Sequence, residues 1–529
     1  MKSKIIICLI ILLALVSLSA VSAADDNATD GAEIGDGEEV SVDNNGSSPD
    51  NEVIEEEGNG SDAGDEVADA NVSEGVAETP KLNSSVSASN VAGYKGFSTK
   101  VAVKLTAGGK KLAYKKVKVT VNNKVYNRKT DKNGKFTLSF STLKKGTYKI
   151  VYDYAGDENT TSCKGSSKIT IKNPTKTKLK IFDKDINYRQ GLKNLFSVRL
   201  VDSKGKAIKN QKVTFKVKGK TYTKKTNSKG YAEIALNLKK GTYKVTYKFA
   251  KKAPYLASSG SFKVKMKAPM AKGNGYWVWP KYMKNLNLKA LSKKGTKHLF
   301  LEASAISAYG KSTVVKWISK AHKYGMKVHL WICVCSDGVN WVSPVKKNNK
   351  FKYSFINKKV KEAIKYSKIK GVDGIHLDYI RFGGTAYKYK TSTQAINYIV
   401  KKICLGIHKS KPNCIVSAAV MPEVSKMKYW YGQDISTMGR YLDAIVPMVY
   451  KGTFHQKSSW ITKVVKTYKT QSKSAVIWAG LQTYHADNNA KLLSYKTLLK
   501  DAKAAKAGGA TGSILFRIGI THYLNFKKV

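Results

Sequence analysis

The chain has 529 residues and is poor in cysteine, in arginine and, outside one segment, in acidic residues. Apart from Cys8 it has five cysteines, an odd number that excludes a dense disulfide framework and fits no zinc-ligand spacing. A pairing of Cys404 with Cys414, between a helix and the next strand, stays open. Beyond the N-terminus no segment approaches about 18 uncharged apolar residues, so no later membrane span is expected. We predict no metal and no cofactor.

The first 23 residues have the pattern of a secretory signal peptide. Lys2 and Lys4 precede an apolar run over 5–18, and small residues end the segment. We therefore expect a secreted, wall-associated or otherwise cell-surface protein without a transmembrane anchor after cleavage. Residues 24–80 contain 19 Asp or Glu and no Lys or Arg, with too little apolar surface to offset chain entropy. This composition predicts a disordered acidic stalk over 24–89.

The remainder of the chain is very basic, and nearly all of its positive charge is lysine. Only six of the 94 basic residues are arginines, and the lysines are spread over every segment. A compositional bias explains this spread, and adhesion to anionic wall polymers is the functional alternative. No nucleic-acid-binding motif accompanies the charge, so nucleic acid is not an expected partner.

Two copies of one motif follow the acidic segment. "VKVTVNNKVYNRKTDKNGKFTLSFSTLKKGTYKIVYDY" returns roughly 95 residues later as "QKVTFKVKGKTYTKKTNSKGYAEIALNLKKGTYKVTYKF". Short alternating runs broken by turn signals predict antiparallel strands, and a repeat of this length predicts a β-sandwich. The copies, over 90–172 and 176–266, resemble the immunoglobulin-like modules of bacterial and archaeal surface proteins. Such modules act as spacers or as glycan- or wall-binding domains.

From Gly275 onward, short apolar runs alternate with segments of helical periodicity. Eight runs in about 255 residues predict a (β/α)₈ TIM barrel over 272–529. An open doubly wound sheet is the alternative, but no Gly-x-Gly-x-x-Gly follows the first run. The eight runs are 275–279, 298–304, 327–334, 374–378, 414–420, 444–449, 475–481 and 512–518.

Alternation along these runs separates an aliphatic outer face from an inner face that carries ionisable and aromatic groups. A purely structural barrel fills its interior with Val, Ile and Leu. In the eighth strand, Ile514, Phe516 and Ile518 are expected to face outward and Arg517 inward. The other side chains predicted to face the interior or its mouth are Glu302, His329, Trp331, Cys333, His376, Asp378, Tyr450 and Gln482.

The carboxylates of the C-terminal half are few, and four are expected at the C-terminal face of the barrel: Glu302, Asp337, Asp378 and Glu423. Asp378 ends the fourth strand and Glu423 follows the fifth, so these two are neighbours around the ring. Paired carboxylates on either side of a glycosidic bond are what glycoside hydrolysis requires. Arg381 and Arg517 fall at strand ends, where a planar donor can hold a carboxylate or sugar hydroxyls.

The run "GVDGIHLDYIRF" (371–382), with "PMVY" and "LFRIG", resembles glycoside hydrolase-type TIM-barrel families of exported bacterial and archaeal proteins. The resemblance covers the C-terminal half. Amylase-type barrels place a nucleophilic Asp at the end of strand four and an acid/base Glu after strand five, which implies Asp378 and Glu423 here. His376 stands where the amylase pattern has an arginine. Ile380 stands where chitinase-type barrels carry their catalytic Glu, so chitinase chemistry is not expected.

The sequence thus predicts a glycosidase acting by retention on a polysaccharide or cell-wall glycan. Asp378 is the predicted nucleophile and Glu423 the predicted acid/base. The predicted substrate-binding residues are His376, Arg381, Glu302, Trp331, Asp337, Tyr450, Gln482 and Arg517, with Trp277 and Trp279 as further stacking faces.

Two other classes of function are alternatives to a glycosidase. The first is an adhesin whose barrel binds glycan without cleaving it, and a second carboxylate beside Asp378 would argue against it. The second is a cysteine peptidase or amidase using Cys335 with His329 or His376, for which the thiols show no activating arrangement.

Overall fold

A computed structural model describes residues 80–472 and 474–529. The predicted signal peptide and most of the predicted stalk lie outside the described residues. The described residues up to Asn173 form one compact unit, and Pro174–Val529 form another. The first strand begins at Ser84, so the first sandwich starts before the predicted boundary at residue 90, because Ser84–Ala88 pairs with a central strand of that domain.

The first unit is a β-sandwich whose strands alternate exposed lysines with buried apolar residues, as in Lys116–Val121. One sheet joins β1, β3, β4 and β7, and the other has the order β2-β9-β8-β5-β6. The strands are β1 (Ser84–Ala88), β2 (Val91–Tyr94), β3 (Thr99–Ala107), β4 (Lys110–Lys111), β5 (Lys116–Val121), β6 (Lys124–Lys129), β7 (Lys135–Phe140), β8 (Gly146–Tyr154) and β9 (Cys163–Lys172).

The second copy of the motif forms a second sandwich with the same alternation. Its sheets have the orders β10-β11-β14 and β13-β12-β15-β16. The strands are β10 (Thr177–Ile181), β11 (Asn194–Asp202), β12 (Lys212–Val217), β13 (Lys220–Lys225), β14 (Tyr231–Leu236), β15 (Gly241–Phe249) and β16 (Ser258–Met266). Two stacked antiparallel sheets confirm the β-sandwich prediction for this segment.

Eight parallel strands close into a barrel, which confirms all eight predicted runs and excludes the open doubly wound sheet. The barrel strands are β17 (Gly275–Val278), β18 (His298–Glu302), β19 (Lys327–Cys333), β20 (Gly374–Asp378), β21 (Ile415–Val420), β22 (Ala444–Pro447), β23 (Val476–Gln482) and β26 (Gly512–Phe516). A two-stranded hairpin, β24 (Tyr484–Ala486) and β25 (Asn489–Leu492), follows β23.

Helices pack outside the barrel with one apolar stripe each, as the 3.6-residue periodicity predicts. They are α1 (Pro280–Met283), α2 (Leu288–Lys293), α3 (Ala305–Tyr309), α4 (Lys311–Lys323), α5 (Tyr353–Ser367), α6 (Ser392–Ser410), α7 (Ile435–Met438), α8 (Ser458–Gln471) and α9 (Tyr495–Ala507). Short 3₁₀ turns span Ala386–Lys388 and Phe526–Lys528, and a π-helix spans Met427–Tyr431. None of the helices in the described part of the chain is long and apolar enough to cross a bilayer.

The barrel strands have two distinct faces. Their outward residues, such as Leu330 and Leu377, join the helices in one apolar layer, whereas Trp277, Phe300 and Trp478 fill the interior. The face prediction for the eighth strand was wrong. Ile514 and Phe516 lie in the interior cluster, and Leu515 lies in the outer layer. The alternation expected through Ile518 does not hold because the strand ends at Phe516, and Arg517 follows it.

The second sandwich docks on the N-terminal end of the barrel around one buried carboxylate, Asp443, which directly precedes β22. Arg189 from the sandwich forms an ion pair with Asp443, and Asn187 Nδ2 donates to Asp443 Oδ1 at 2.9 Å. From the barrel side, His408 Nε2 lies 3.0 Å from Asp443 Oδ2, and Val416 N–H donates to the same oxygen at 2.9 Å. Burial raises the pKa of Asp443, but the hydrogen bond and charge of His408 and the charges of Lys267 and Arg189 hold it well below its ordinary value.

The five cysteines of the described residues are free, so the open pairing of Cys404 with Cys414 is not made. Both lie buried in the outer apolar layer. Burial raises the pKa of the Cys335 thiol to about 12, which leaves it a thiol at neutral pH. The peptidase alternative therefore has no activated nucleophile.

Candidate active site

Two carboxyl groups occupy the same layer at the C-terminal mouth of the barrel. Phe300 of β18 and His376 of β20 stack inside the barrel with ring centroids 4.3 Å apart. The next inward residue on each strand, two positions later, is Glu302 on β18 and Asp378 on β20. Glu302 and Asp378 are therefore inward-facing neighbours in the layer above the stacked pair. The negative charge of Asp378 also acts on the pKa of Glu302.

Asp378 is held by donors on both carboxylate oxygens. The Trp331 indole N–H donates to Oδ2 at 3.0 Å, and the Tyr379 backbone N–H donates to Oδ1 at 2.7 Å. Tyr379 has a φ of 50°, a left-handed conformation that turns the chain out of the strand immediately after Asp378. Burial raises the pKa of Asp378 above its ordinary value, while these donors and the Arg381 guanidinium oppose the rise. Two hydrogen bonds and the charge of Arg381 thus oppose the effect of burial on the Asp378 carboxylate.

Glu302 has a different environment. Burial raises its pKa, the neighbouring charge of Asp378 raises it further, and a hydrogen bond from Ser304 opposes these effects. Burial raises the pKa of both carboxyl groups, and the charge of Asp378 adds to the rise at Glu302. Two acids whose surroundings differ in this way fit a division into a proton donor and an ionised partner.

Arg381 acts on both Asp378 and the predicted acid/base, Glu423. Its charge opposes the rise that burial causes in the pKa of both carboxyl groups. Aromatic rings surround the guanidinium carbon, which is 4.5 Å from the Trp341 ring centre and 5.4 Å from that of Tyr431. The buried Nε of Arg381 has no hydrogen-bond partner. A sugar hydroxyl or a carboxylate would satisfy such a donor.

Glu423 stands on the loop after β21, outside the Glu302–Asp378 layer. Tyr431 O–H donates to Glu423 Oε1 at 2.6 Å, whereas the buried Oε2 has no partner. Burial raises the pKa of Glu423. Glu423 also lines a surface cavity of about 460 Å³ together with Phe454, Trp460 and Lys463, on the α8 side of the loop. Asp378 and Glu302 do not line this cavity, so the pairing of Asp378 with Glu423 stays a prediction.

Aromatic side chains line the rest of the mouth. Tyr450 stacks on Phe516 with ring centroids 5.6 Å apart, and the negative charge of Asp378 contributes to its raised pKa. Arg517 lies over Trp279, with its guanidinium carbon 3.7 Å from the ring centre. Trp331 contacts Asp378 directly, as described above. These residues remain at the positions where the sequence expected substrate contacts.

Three predicted substrate-binding residues make hydrogen bonds within the protein. His376 is fully buried one layer below Asp378, where its Nδ1 lies 2.9 Å from Ser417 Oγ. Gln482 is 3% exposed, and its side-chain amide contacts Thr453 through both the Nε2 and Oε1 atoms. Asp337 is exposed, and its Oδ1 accepts the backbone N–H groups of residues 339 and 340. The substrate-binding roles of these three residues stay predictions.

The sequence reasoning missed four aromatic residues around this mouth: Trp341, Tyr387, Tyr429 and Tyr431. Three of them follow strands β20 and β21 in the loops of the C-terminal face. The aromatic run "MKYWYG" just after the fifth strand was a signal that could have found Tyr429 and Tyr431.

The described residues contain no group of three or more His, Cys, Asp or Glu side chains placed to hold a metal ion. Three histidines do meet inside the barrel, where His298 Nδ1 lies 2.8 Å from His329 Nε2 and His376 lies close by. Aromatic rings pack around them, among them Phe300 and Trp478. Burial lowers the pKa of His298 and of His376 to about 3, so both are neutral at ordinary pH.

Two family models match parts of the chain. A model described as "Putative glycosyl hydrolase domain" matches residues 320–490, and one described as "Macroglobulin domain MG4" matches residues 179–269. The first match contains Asp378, Arg381 and Glu423 and supports a glycoside hydrolase type of barrel. The second coincides with the second sandwich. No curated protein matches the chain.

Several solved structures share parts of the fold at low identity. A class V chitinase from Pseudomonas fluorescens Pf-5 is 13% identical, with 49% of this chain and 98% of that chain covered and a TM-score of 0.39. The Group II chitinase catalytic domain 2 of Ostrinia furnacalis is 12% identical over 47% and 90%, with a TM-score of 0.35. Fibronectin(III)-like modules of Clostridium thermocellum CbhA are 12% identical over 35% and 95%, with a TM-score of 0.24. At these scores the likenesses carry no inference about chemistry.

Proposed function

We propose that the barrel is a glycoside hydrolase acting on a polysaccharide or cell-wall glycan, with Asp378 and Glu302 as its pair of carboxyl groups. The observation that carries the proposal is their placement in one interior layer at the mouth, where the charge of Asp378 raises the pKa of Glu302. The match of residues 320–490 to a glycosyl hydrolase model supports the reaction class.

The surroundings of the two groups suggest their roles. Asp378, with a donor on each oxygen and the charge of Arg381 opposing the rise of its pKa by burial, acts as nucleophile. Glu302, whose pKa is raised by burial and by its neighbour, keeps its proton and delivers it to the leaving oxygen. Arg381, Arg517, Trp279 and Tyr450 line the mouth around the sugar. Glu423, joined to Tyr431, is the alternative acid.

We also propose that the protein acts at the cell surface or in the wall. The basic N-terminal residues followed by an apolar run support export. The excess of lysine supports retention on anionic wall polymers through a screened long-range attraction.

The test is to screen the purified chain against wall and plant polysaccharides by release of reducing ends, and then to compare three isosteric variants on a cleaved polymer. We expect Glu302→Gln to lower kcat by about 10²–10⁴, the range for loss of acid or base catalysis, and Asp378→Asn, which removes the nucleophile, to lower it at least as much. Glu423→Gln should lower it by less than about tenfold. Proton NMR of the first product should show a retained anomeric configuration. The attack of Asp378 inverts the anomeric carbon once, and the attack of water on the glycosyl-enzyme inverts it again.

Each alternative has its own outcome. A large loss in Glu423→Gln with near-normal activity in Glu302→Gln would restore the sequence-based pairing of Asp378 with Glu423. Binding of a polymer without cleavage would favour the adhesin. Unchanged hydrolysis by Asp378→Asn would overturn the mechanism altogether.

A further inference from the structure

Two stacked tyrosines are exposed on loops at the C-terminal face of the barrel. Tyr387 and Tyr429 are 52% and 55% exposed, with ring centroids 5.0 Å apart and planes 12° from parallel. Large aromatic groups this exposed are uncommon, because leaving a ring in water forgoes its burial free energy. A pair of parallel rings on a catalytic face is a surface on which another ring can stack.

The pair belongs to the same short elements that build the candidate active site. Tyr387 lies on the 3₁₀ turn that follows β20, nine residues after Asp378. Tyr429 lies on the π-helix whose last residue, Tyr431, donates to Glu423 and accepts the Phe382 N–H at 3.0 Å. Gly432, with a φ of 70°, ends this helix in a conformation that favours glycine. The π-helix therefore links the tyrosine pair to the residues around Arg381.

Positive charge accompanies the tyrosines. Lys426 Nζ lies 5.8 Å from the Tyr429 ring centre and 5.9 Å from that of Trp430. Within residues 80–472 and 474–529, Lys426 has no ion pair. From residue 272 onward the chain contains 46 Lys or Arg against 10 Asp or Glu, so the surrounding field is strongly positive. A neutral sugar polymer would gain nothing from this charge.

We propose that Tyr387, Tyr429 and Lys426 form a subsite, outside the carboxylate pair, for a sugar unit of a carboxylate-bearing polysaccharide. This inference rests on the proposed function and names its substrate class. The C–H face of a pyranose stacks on the tyrosine pair, while a uronic carboxylate meets the lysine ammonium. Because the subsite holds a sugar that is not being cleaved, the enzyme binds more of the chain than the two sugars at the cleaved bond.

The test uses the full chain carrying Asp378→Asn, so that binding is measured apart from cleavage, with polygalacturonate as the probe. Tyr387→Ala and Tyr429→Ala should each weaken binding by about tenfold, a loss of about 1.4 kcal/mol. Lys426→Ala should also weaken it and should reduce the effect of added NaCl. Methyl-esterified polygalacturonate, which has the same backbone without the charge, should bind more weakly than the free acid.

The matched control is Tyr114→Ala in the first sandwich. Tyr114 is 61% exposed and carries its own lysine, with Lys129 Nζ 5.6 Å from its ring centre. Normal binding by Tyr387→Ala and Tyr429→Ala, an equal loss in Tyr114→Ala, or equal binding of the free and esterified polymers would each overturn the inference.

The outcome separates this inference from the proposed function. Loss of polymer binding in the tyrosine variants, in a protein with no hydrolytic activity, would support the subsite and contradict the glycosidase. Dependence of hydrolysis on Asp378 and Glu302, with normal polymer binding by the tyrosine variants, would support the glycosidase and contradict the subsite.

Discussion

The two carboxyl groups at the barrel mouth are distinguished by their neighbours and not by residue type. Asp378 accepts hydrogen bonds from Trp331 and from the Tyr379 backbone, whereas Glu302 has the charge of Asp378 beside it. Burial raises the pKa of both groups; hydrogen bonds and the charge of Arg381 oppose the rise at Asp378, whereas the charge of Asp378 adds to the rise at Glu302. A pair of acids can therefore divide the work of proton transfer and nucleophilic attack at one pH.

The pH profile should follow from this division. Under the proposed mechanism, hydrolysis needs ionised Asp378, so kcat/KM should fall as the pH drops through the pKa of Asp378, which lies above its usual 3.8. Activity also needs protonated Glu302, so it should fall again as the pH rises through a pKa above 4.5. We expect a bell-shaped profile of kcat/KM, with the alkaline limb absent from the residual activity of Glu302→Gln. A profile with no alkaline limb in the unaltered protein would contradict the assignment.

The coupling itself can be measured in the Asp378→Asn variant. Removing the negative neighbour should lower the pKa of Glu302, because like charges raise each other's pKa. Carbon-13 NMR titration of labelled glutamate carboxyls, assigned by difference with Glu302→Gln, reports this pKa. Glu423→Gln should leave the pKa of Glu302 unchanged, since Glu423 lies on the loop after β21. Equal pKa values of Glu302 with and without Asp378 would show that the two groups do not interact.

At the scale of elements, three adjacent barrel strands each carry a buried histidine: His298 on β18, His329 on β19 and His376 on β20. Burial among aromatic rings lowers all three pKa values. Aromatic and imidazole rings thus fill the interior where aliphatic side chains would otherwise pack. Glu302 and Asp378 lie in the layer directly above these neutral, buried rings. The rings keep water from reaching the two carboxyl groups through the barrel interior.

These histidines should make the barrel sensitive to acid. In the folded barrel the pKa of His376 is about 3, against about 6.5 unfolded, so the unfolded chain binds more protons below pH 6.5. The contribution of these histidines to the free energy of unfolding is fully present above that pH. It falls as the pH drops toward 3, by about 1.4 kcal/mol per pH unit for each such histidine. His376→Gln should reduce the slope of the free energy of unfolding against pH by about 1.4 kcal/mol per pH unit between pH 6 and pH 4.

Urea unfolding followed by tryptophan fluorescence measures this slope in the full chain. All eight tryptophans lie at or after Trp277, so the signal reports on the barrel and not on the sandwiches. The exposed His485 offers a matched control, and His485→Gln should leave the slope unchanged. Identical slopes in His376→Gln and the unaltered chain would refute the assignment.

At the scale of the molecule, the second sandwich packs against the barrel and contributes partners to its buried groups. Asp443 is buried between the two domains and is held by Arg189 and Asn187 from one and His408 from the other. Leu192 and Met270 also pack against the interior cluster of the barrel. A fragment beginning at residue 272 would lose these partners, so a fragment for biochemical work should begin near Pro174.

The junction predicts a large effect of one substitution. Arg189→Ala should lower the free energy of unfolding by about 3 kcal/mol, because it removes one partner of a buried ion pair and leaves Asp443 undercompensated. Lys428→Ala, which removes an exposed partner of Asp434 in the same unit, should cost less than about 1 kcal/mol. Urea unfolding monitored by tryptophan fluorescence compares them, and equal losses would show that the junction adds little to stability.

Much of this architecture was predictable because it depends on local periodicity. Alternation of apolar and polar residues identified all eight barrel strands and placed Asp378, His376 and Trp331 on the inner face. The repeated "KKGTYK" segments marked two sandwiches. A strand's two faces follow from its own φ and ψ angles, so the chain alone carries that information.

The partner that we propose for Asp378, by contrast, could be identified only from the tertiary structure. Glu302 and Asp378 come together because the stagger of neighbouring strands, shown by the Phe300–His376 stack, sets which inward residues share a layer. The same holds for the Tyr387–Tyr429 pair, which two separate loops bring together, and for Asp443, whose partner Arg189 comes from another domain. Periodicity determines which way a side chain points, but the shear and packing of the closed barrel decide what it meets.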